Sequence, residues 1–172
     1  IKQDIDWPQF MSQQDMIWEK LPEYWYDSAF LGNGKLGLMI YKEPGKNYLR
    51  LETGNCDVHD HRTKRDVFGI PRLLTGHFAL HPKGKIINGT IHLDLWNAEA
   101  STDITTTKGV IHLRSFVHAD EMMIIVKATT EGDEHDFQWE WIAAEANSPR
   151  YLIIKRQGKA NKIPKDYELN PT

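Results

Sequence analysis

Phe30-Leu31-Gly32-Asn33-Gly34-Lys35-Leu36-Gly37-Leu38-Met39-Ile40-Tyr41, followed by Leu49-Arg50-Leu51-Glu52-Thr53-Gly54-Asn55-Cys56-Asp57-Val58-His59-Asp60-His61-Arg62, is the stretch that decides the fold. Asn33-Gly34 is a turn dipeptide that tolerates positive φ at both positions, and Gly32 adds backbone freedom before it. Leu36, Leu38 and Ile40 share one parity, as a strand with one buried face requires. Leu49 and Leu51 repeat that pattern, with Arg50 and Glu52 on the opposite face. After Gly54-Asn55 the alternation stops. Residues 55–72 hold three Asp, two His and four basic side chains with almost no core material, a loop whose charges need partners.

The same period of two recurs downstream. Phe78 and Leu80 alternate with His77, Ala79 and His81, and Ile91, Leu93 and Leu95 with His92, Asp94 and Trp96. Strands are also expected over 102–107, 110–117 and 122–128. Phe137, Trp139 and Trp141 alternate with Gln138, Glu140 and Ile142 in a last clear one, and Tyr151-Leu152-Ile153-Ile154 reads as one more. Turn signals at Lys83-Gly84, Lys108-Gly109 and Gly132-Asp133 separate these segments. Short strands at this spacing, with no βαβ rhythm, predict an all-β antiparallel sandwich or barrel.

Upstream, residues 1–28 form an aromatic lead-in that packs on the sandwich of residues 29–156; residues 157–172 form a polar tail or linker. Phe10, Met11, Gln14 and Trp18 have partial helical spacing, which predicts one short N-terminal helix ended by Pro22. Trp25 lies between Tyr24 and Tyr26. Flat rings of this kind serve either as packing surface or as a platform for the apolar face of a pyranose.

Composition narrows the classes. The chain has 172 residues, 40% of them hydrophobic, and six Trp, enough for one domain with a core. A net charge of −3 with interspersed signs argues against nucleic acid or an anionic membrane as partner. No apolar run approaches the ~18–20 residues of a membrane-spanning helix. Cys56 is the only cysteine, so no disulfide forms within the chain.

Three kinds of chemistry are open to the loop after Gly54. His59 and His61 share a parity and, with Asp57 or Asp60, offer part of a metal set, although no further ligand stands at a telling spacing. Asn55, Asp57, Asp60 and His61 can hydrogen-bond sugar hydroxyls while Arg62 clamps a carboxylate. Alternatively Arg62 holds Asp57 or Asp60 in an internal ion pair. Asp120-Glu121 and Asp133-Glu134 resemble the carboxylate pairs of glycoside hydrolysis, but both fall in hairpin turns and are expected to be solvated. Asn88-Gly89-Thr90 matches a glycosylation acceptor. No phosphate-binding glycine loop or nucleophile elbow occurs.

Leu21-Pro22, Trp25 and Phe30-Leu31-Gly32-Asn33-Gly34-Lys35-Leu36-Gly37 resemble the opening of the N-terminal β-sandwich of glycoside hydrolase family 95, whose members are α-L-fucosidases and α-L-galactosidases; family 65 has a related domain. Residues 109–120 resemble a later segment of that sandwich. Where the family has an Asn-Glu-Asp-type loop, this chain has Asn55-Cys56-Asp57-Val58-His59-Asp60-His61-Arg62, closest to uncharacterised Bacteroidetes members. The resemblance implies an antiparallel, galactose-mutarotase-like supersandwich that precedes an α/α barrel carrying the catalytic groups, and a periplasmic or secreted setting. On that basis no residue here is catalytic and no metal or other cofactor is called for. The partners implied are a C-terminal α/α barrel of the same parent chain and carbohydrate, with no nucleic acid and no membrane. Asn55, Asp57, Asp60, His61, Arg62 and Trp25 are the candidate substrate-binding residues. A stand-alone carbohydrate-binding module and a metal-binding β protein are the alternatives.

Overall fold

Two antiparallel five-stranded sheets face one another in a computed structural model that describes residues 4–61, 71–145 and 147–163. The first sheet contains β1 (Met16–Trp18), β6 (Ile86–Asp94), β7 (Glu99–Thr106), β8 (Gly109–Val117) and β9 (Ile124–Gly132), in the order β1-β6-β7-β8-β9. The second contains β2 (Ala29–Gly32), β3 (Leu36–Lys42), β4 (Leu49–Asn55), β5 (Gly76–His81) and β10 (Gln138–Ala143), in the order β10-β5-β4-β3-β2. The all-β sandwich expected from the alternation is what the chain forms. Leu38, Ile40, Leu49, Leu51 and Leu80 from one sheet meet Ile91, Leu93, Ile104, Ile111 and Leu113 from the other, all buried. Burying side chains of this size stabilises the fold by about 1.5–3 kcal/mol each before conformational entropy is subtracted.

The turn between β2 and β3 works differently from the expectation. Gly34 has φ 88°, whereas Asn33 keeps an ordinary negative φ. Asn33 acts through its side chain. Its Oδ1 accepts the Lys35 and Leu36 N–H groups at 3.0 and 2.8 Å, closing the turn. Its Nδ2 donates to the carbonyls of His118 and Glu121 at 2.8 and 3.2 Å, in the connection between β8 and β9. One amide thus closes a hairpin in one sheet and ties it to the other.

Two segments depart from the sequence reading. The N-terminal helix is shorter than the spacing suggested: α1 spans Trp7–Ser12, capped by Asp6, which accepts the Gln9 N–H at 3.1 Å, with Pro8 in the first turn. Residues beyond it join the sheet as β1 because Asp15 pins them along β6, accepting the Leu95 N–H at 2.9 Å and pairing with His92 Nε2 at 2.9 Å. Tertiary pairing overrides a weak helical period here. Conversely, residues 151–154 are not a strand. They lie in α2 (Pro149–Arg156), which starts with a proline in its first turn, where the missing N–H costs nothing.

The sheets are offset. β2 and β3 lie over β7 and β8, and Leu51 of β4 meets Ile124 and Val126 of β9 around a cavity of about 260 Å³. The inner face of β5 and β10 is therefore only partly covered: Leu80 is buried in the core, while Phe78 and Trp139 border the same cavity as Ile124 and Val126 of β9. Phe78, Trp139 and Trp141 on that face remain 42%, 41% and 46% exposed.

Candidate functional site

The loop singled out in the sequence leaves the C-terminal end of β4, the central strand of the second sheet. Asn55 pairs with Leu36, and its Oδ1 accepts the Asp57 N–H at 2.8 Å, turning the chain off the strand. Cys56 N donates to Lys35 O at 2.8 Å, holding the loop base against the Asn33-Gly34 turn. Farther out the backbone doubles back: Asp60 N donates to Pro71 O at 2.9 Å, Leu73 N to Val58 O at 3.0 Å, and His59 bridges to Arg72. Asp57 and His61 are exposed, whereas Asp60 is buried. The His59 and His61 rings lie 6.1 Å apart. Arg62 lies outside the described residues. Among the described residues, no group of three or more His, Cys, Asp or Glu side chains is placed to hold a metal ion.

Trp25 lies elsewhere. It opens a one-turn 3₁₀ helix, Trp25–Asp27, and is 61% exposed. With Trp18, Tyr26, Phe30 and Met39 it lines a groove of about 530 Å³, to which none of residues 55–61 contributes. The candidates therefore form two places, a polar loop at the end of β4 and an aromatic groove beside β2.

Across the outer face beside the groove runs a polar network that the sequence reading did not assemble. Cross-strand register sets Phe30, Met39, Glu52, His77 and Ile142 in one row across the outer face, with Tyr41, Arg50, Ala79 and Glu140 in the next. Tyr41 donates its hydroxyl hydrogen to Glu52 Oε2 at 2.5 Å. Arg50 Nη1 donates to Glu43 Oε2 at 2.8 Å, and Arg50 Nε lies 3.2 Å from Glu52 Oε2. The guanidinium also sits 5.6 Å from the centre of the Tyr41 ring. Burial, followed by the hydrogen bond to Glu52 and that carboxylate's charge, pushes the Tyr41 phenol well above its usual range. His77 is buried, its Nε2 has no hydrogen-bond partner among the described residues, and the Tyr48 ring stacks on it at 6.1 Å. Burial, then the Arg50 charge, lowers its pKa, so it is held neutral. The visible signal was the Arg50/Glu52 and His77/His81 alternation; the missing information was which strands are neighbours.

The carboxylate pairs expected to be solvated divide. Glu134 is fully buried, a correction to that expectation. It accepts the Lys83 and Gly84 N–H groups at 3.0 and 2.6 Å and the Thr106 hydroxyl, clamping the β9–β10 connection to the β5–β6 crossover and to the end of β7. Asp133 is solvated as expected, 52% exposed beside Lys83, whose hydrogen bond and charge lower its pKa.

These features define an all-β antiparallel sandwich carrying a polar loop and an aromatic groove on the side of its second sheet. No protein-family model matches the sequence, and no curated protein matches it either.

Proposed function

We propose that the chain is the non-catalytic N-terminal accessory domain of a glycoside hydrolase acting on α-L-fucoside or α-L-galactoside-type glycans, periplasmic or secreted, completed by a C-terminal α/α barrel of the same parent chain. The observation that carries this reading is the partly uncovered aromatic patch on the inner face of β5 and β10. Phe78, Trp139 and Trp141 have the composition of a core and the exposure of a surface, the signature of a face that meets another body. The resemblance of the Phe30–Gly37 turn and of residues 109–120 to the family 95 sandwich points to the same assembly.

The engagement of three of its carboxylates supports inertness of the isolated chain. Glycoside hydrolysis needs one acid and one base or nucleophile facing a common space. Glu43 and Glu52 are both engaged by Arg50, and Glu134 is consumed by backbone N–H groups and a hydroxyl. The loop at Asn55, Asp57, Asp60, His61 and Arg62 then serves a supporting role, supplying hydrogen-bonding groups at the mouth of the barrel.

The test has two parts. The purified chain, incubated with aryl α-L-fucosides and α-L-galactosides, is expected to release no aglycone; turnover would overturn the accessory role. The parent reading frame is expected to encode a long helical domain after this sandwich, and a frame without one would remove the barrel from the proposal.

A further inference from the structure

The groove beside β2 has a construction that the docking role does not require. Trp25 and Tyr26 meet edge to face, ring centres 5.7 Å apart and planes at 79°, forming a corner with one ring as floor and the other as wall. Tyr24 stacks on Tyr26 at 5.2 Å and 4°, holding the wall from one side. Trp18 Nε1 donates to Asp27 O at 2.8 Å, and Ser28 Oγ donates to Trp25 O at 2.7 Å, so the turn bearing the corner is fixed before any ligand arrives. Preorganisation of this kind removes ordering cost from binding. Trp25, Tyr26 and Phe30 are nevertheless 61%, 63% and 59% exposed.

The polar complement is specific too. Among the described residues the lining contains one acidic residue, Asp27, and no lysine or arginine. An anionic ligand finds no counter-charge among these residues. A neutral polyol does better, because its hydroxyls donate to the carboxylate while its C–H face lies on a ring. At about 530 Å³ the groove falls within the range of small-ligand sites.

We infer that this corner is a glycan-binding site, distinct from the polar loop, that takes one pyranose with Trp25 as its stacking ring, Tyr26 as its wall and Asp27 as its hydroxyl acceptor. Joined to the proposed function, on which only this choice of sugar rests, the pyranose is galacto-configured: an axial O4 leaves C3–H, C4–H and C5–H on one side, a contiguous apolar face for the Trp25 indole.

The experiment is titration of the 172-residue chain with methyl α-L-fucopyranoside and methyl β-D-galactopyranoside, with methyl α-D-mannopyranoside as comparison, followed by ligand-observed saturation-transfer NMR. The expected result is weak, saturable binding of the first two. Trp25→Ala weakens it at least about tenfold, whereas Trp139→Ala, which removes an exposed indole on the other face of the sheet, leaves it unchanged. Circular dichroism on both variants establishes that the fold persists. No saturable binding of any of the three glycosides, or binding indifferent to Trp25→Ala, overturns the site. Binding of the mannoside alone, lost in Trp25→Ala, keeps the site and overturns the galacto assignment. The outcomes separate from those of the proposed function: a parent frame without a barrel leaves a positive titration standing, and a negative titration leaves the barrel untouched.

Discussion

Glu134 Oε1 accepts the backbone N–H of Gly84 at 2.6 Å, joining the turn before β6 to the turn before β10. The contact also explains the glycine: a Cβ on residue 84 would stand 2.6 Å from that same oxygen and 2.7 Å from Thr106 Oγ1. Removing the carboxylate leaves the Lys83 and Gly84 N–H groups and the Thr106 hydroxyl without their acceptor. Glu134→Ala is therefore expected to lower the unfolding free energy by about 3 kcal/mol. Urea denaturation checks it; a shift within about 0.5 kcal/mol, typical of a solvated surface site, would return Glu134 to an ordinary turn residue.

Asn33 offers a sharper comparison, because its two ends do different work. Asn33→Ala loses both and should cost about 2 kcal/mol. Asn33→Asp keeps the acceptor for the Lys35 and Leu36 N–H groups but sets a carboxylate oxygen against the His118 and Glu121 carbonyls. If the tie between the sheets matters, the aspartate variant is no more stable than the alanine variant. Thermal melts of the pair decide it, and near-wild-type stability of Asn33→Asp would show that only turn closure counts.

How much of this was legible beforehand follows from what each signal depends on. Leu36/Leu38/Ile40 and Leu49/Leu51 gave their strands away because parity is local, and the sandwich followed from such segments repeating. Asn33 looked like a backbone-permissive turn residue, since its partners His118 and Glu121 lie far along the chain. Glu134 looked solvated because its neighbours in sequence are polar, while its partners Lys83, Gly84 and Thr106 come from the β5–β6 crossover and the end of β7. The Tyr41–Glu52–Arg50–His77 network stayed hidden for the same reason. Residues 16–18 and 151–154 exchanged structure type against expectation because a short edge strand is made by its neighbour, here β6 with Asp15 and His92, and a short apolar run without such a neighbour is free to coil.

The two sheets should respond to pH with opposite sign. His77, with its pKa lowered from 6.5 by burial and then by Arg50, binds a proton more readily in the unfolded chain. Stability on its account rises with pH across the interval from the lowered value up to 6.5, and falls on acidification through it. His112, on the outer face of the first sheet, has its pKa raised by the hydrogen bond and charge of Asp103, 2.7 Å from Nδ1, with Glu131 3.4 Å from Nε2. Its contribution is complete below 6.5 and is lost as pH rises through the raised value. His77→Gln is expected to flatten the acid side of a plot of melting temperature against pH, and His112→Gln the side just above 6.5. The His112 effect is the smaller, because its ion pairs face solvent. Curves that change on the same side for both variants would contradict these assignments.

Trp139 carries the last prediction, because the proposed docking face is an energetic statement about a half-covered indole. A ring with 41% of its surface still exposed has collected only part of the stabilisation available from burial. Trp139→Thr, which keeps a side chain suited to a strand, should then cost the isolated chain about 1 kcal/mol, less than the ~3–5 kcal/mol of a fully buried aromatic. The same change removes apolar surface from a patch shared with Phe78 and Trp141, so binding of a hydrophobic dye such as anilinonaphthalene sulfonate should fall. In the parent protein, where the face is proposed to be covered, the cost should rise toward the fully buried value, since the threonine would leave a gap in a packed interface. Equal costs in the isolated chain and the parent would mean that nothing closes over β10, and the proposed docking face would lose its support.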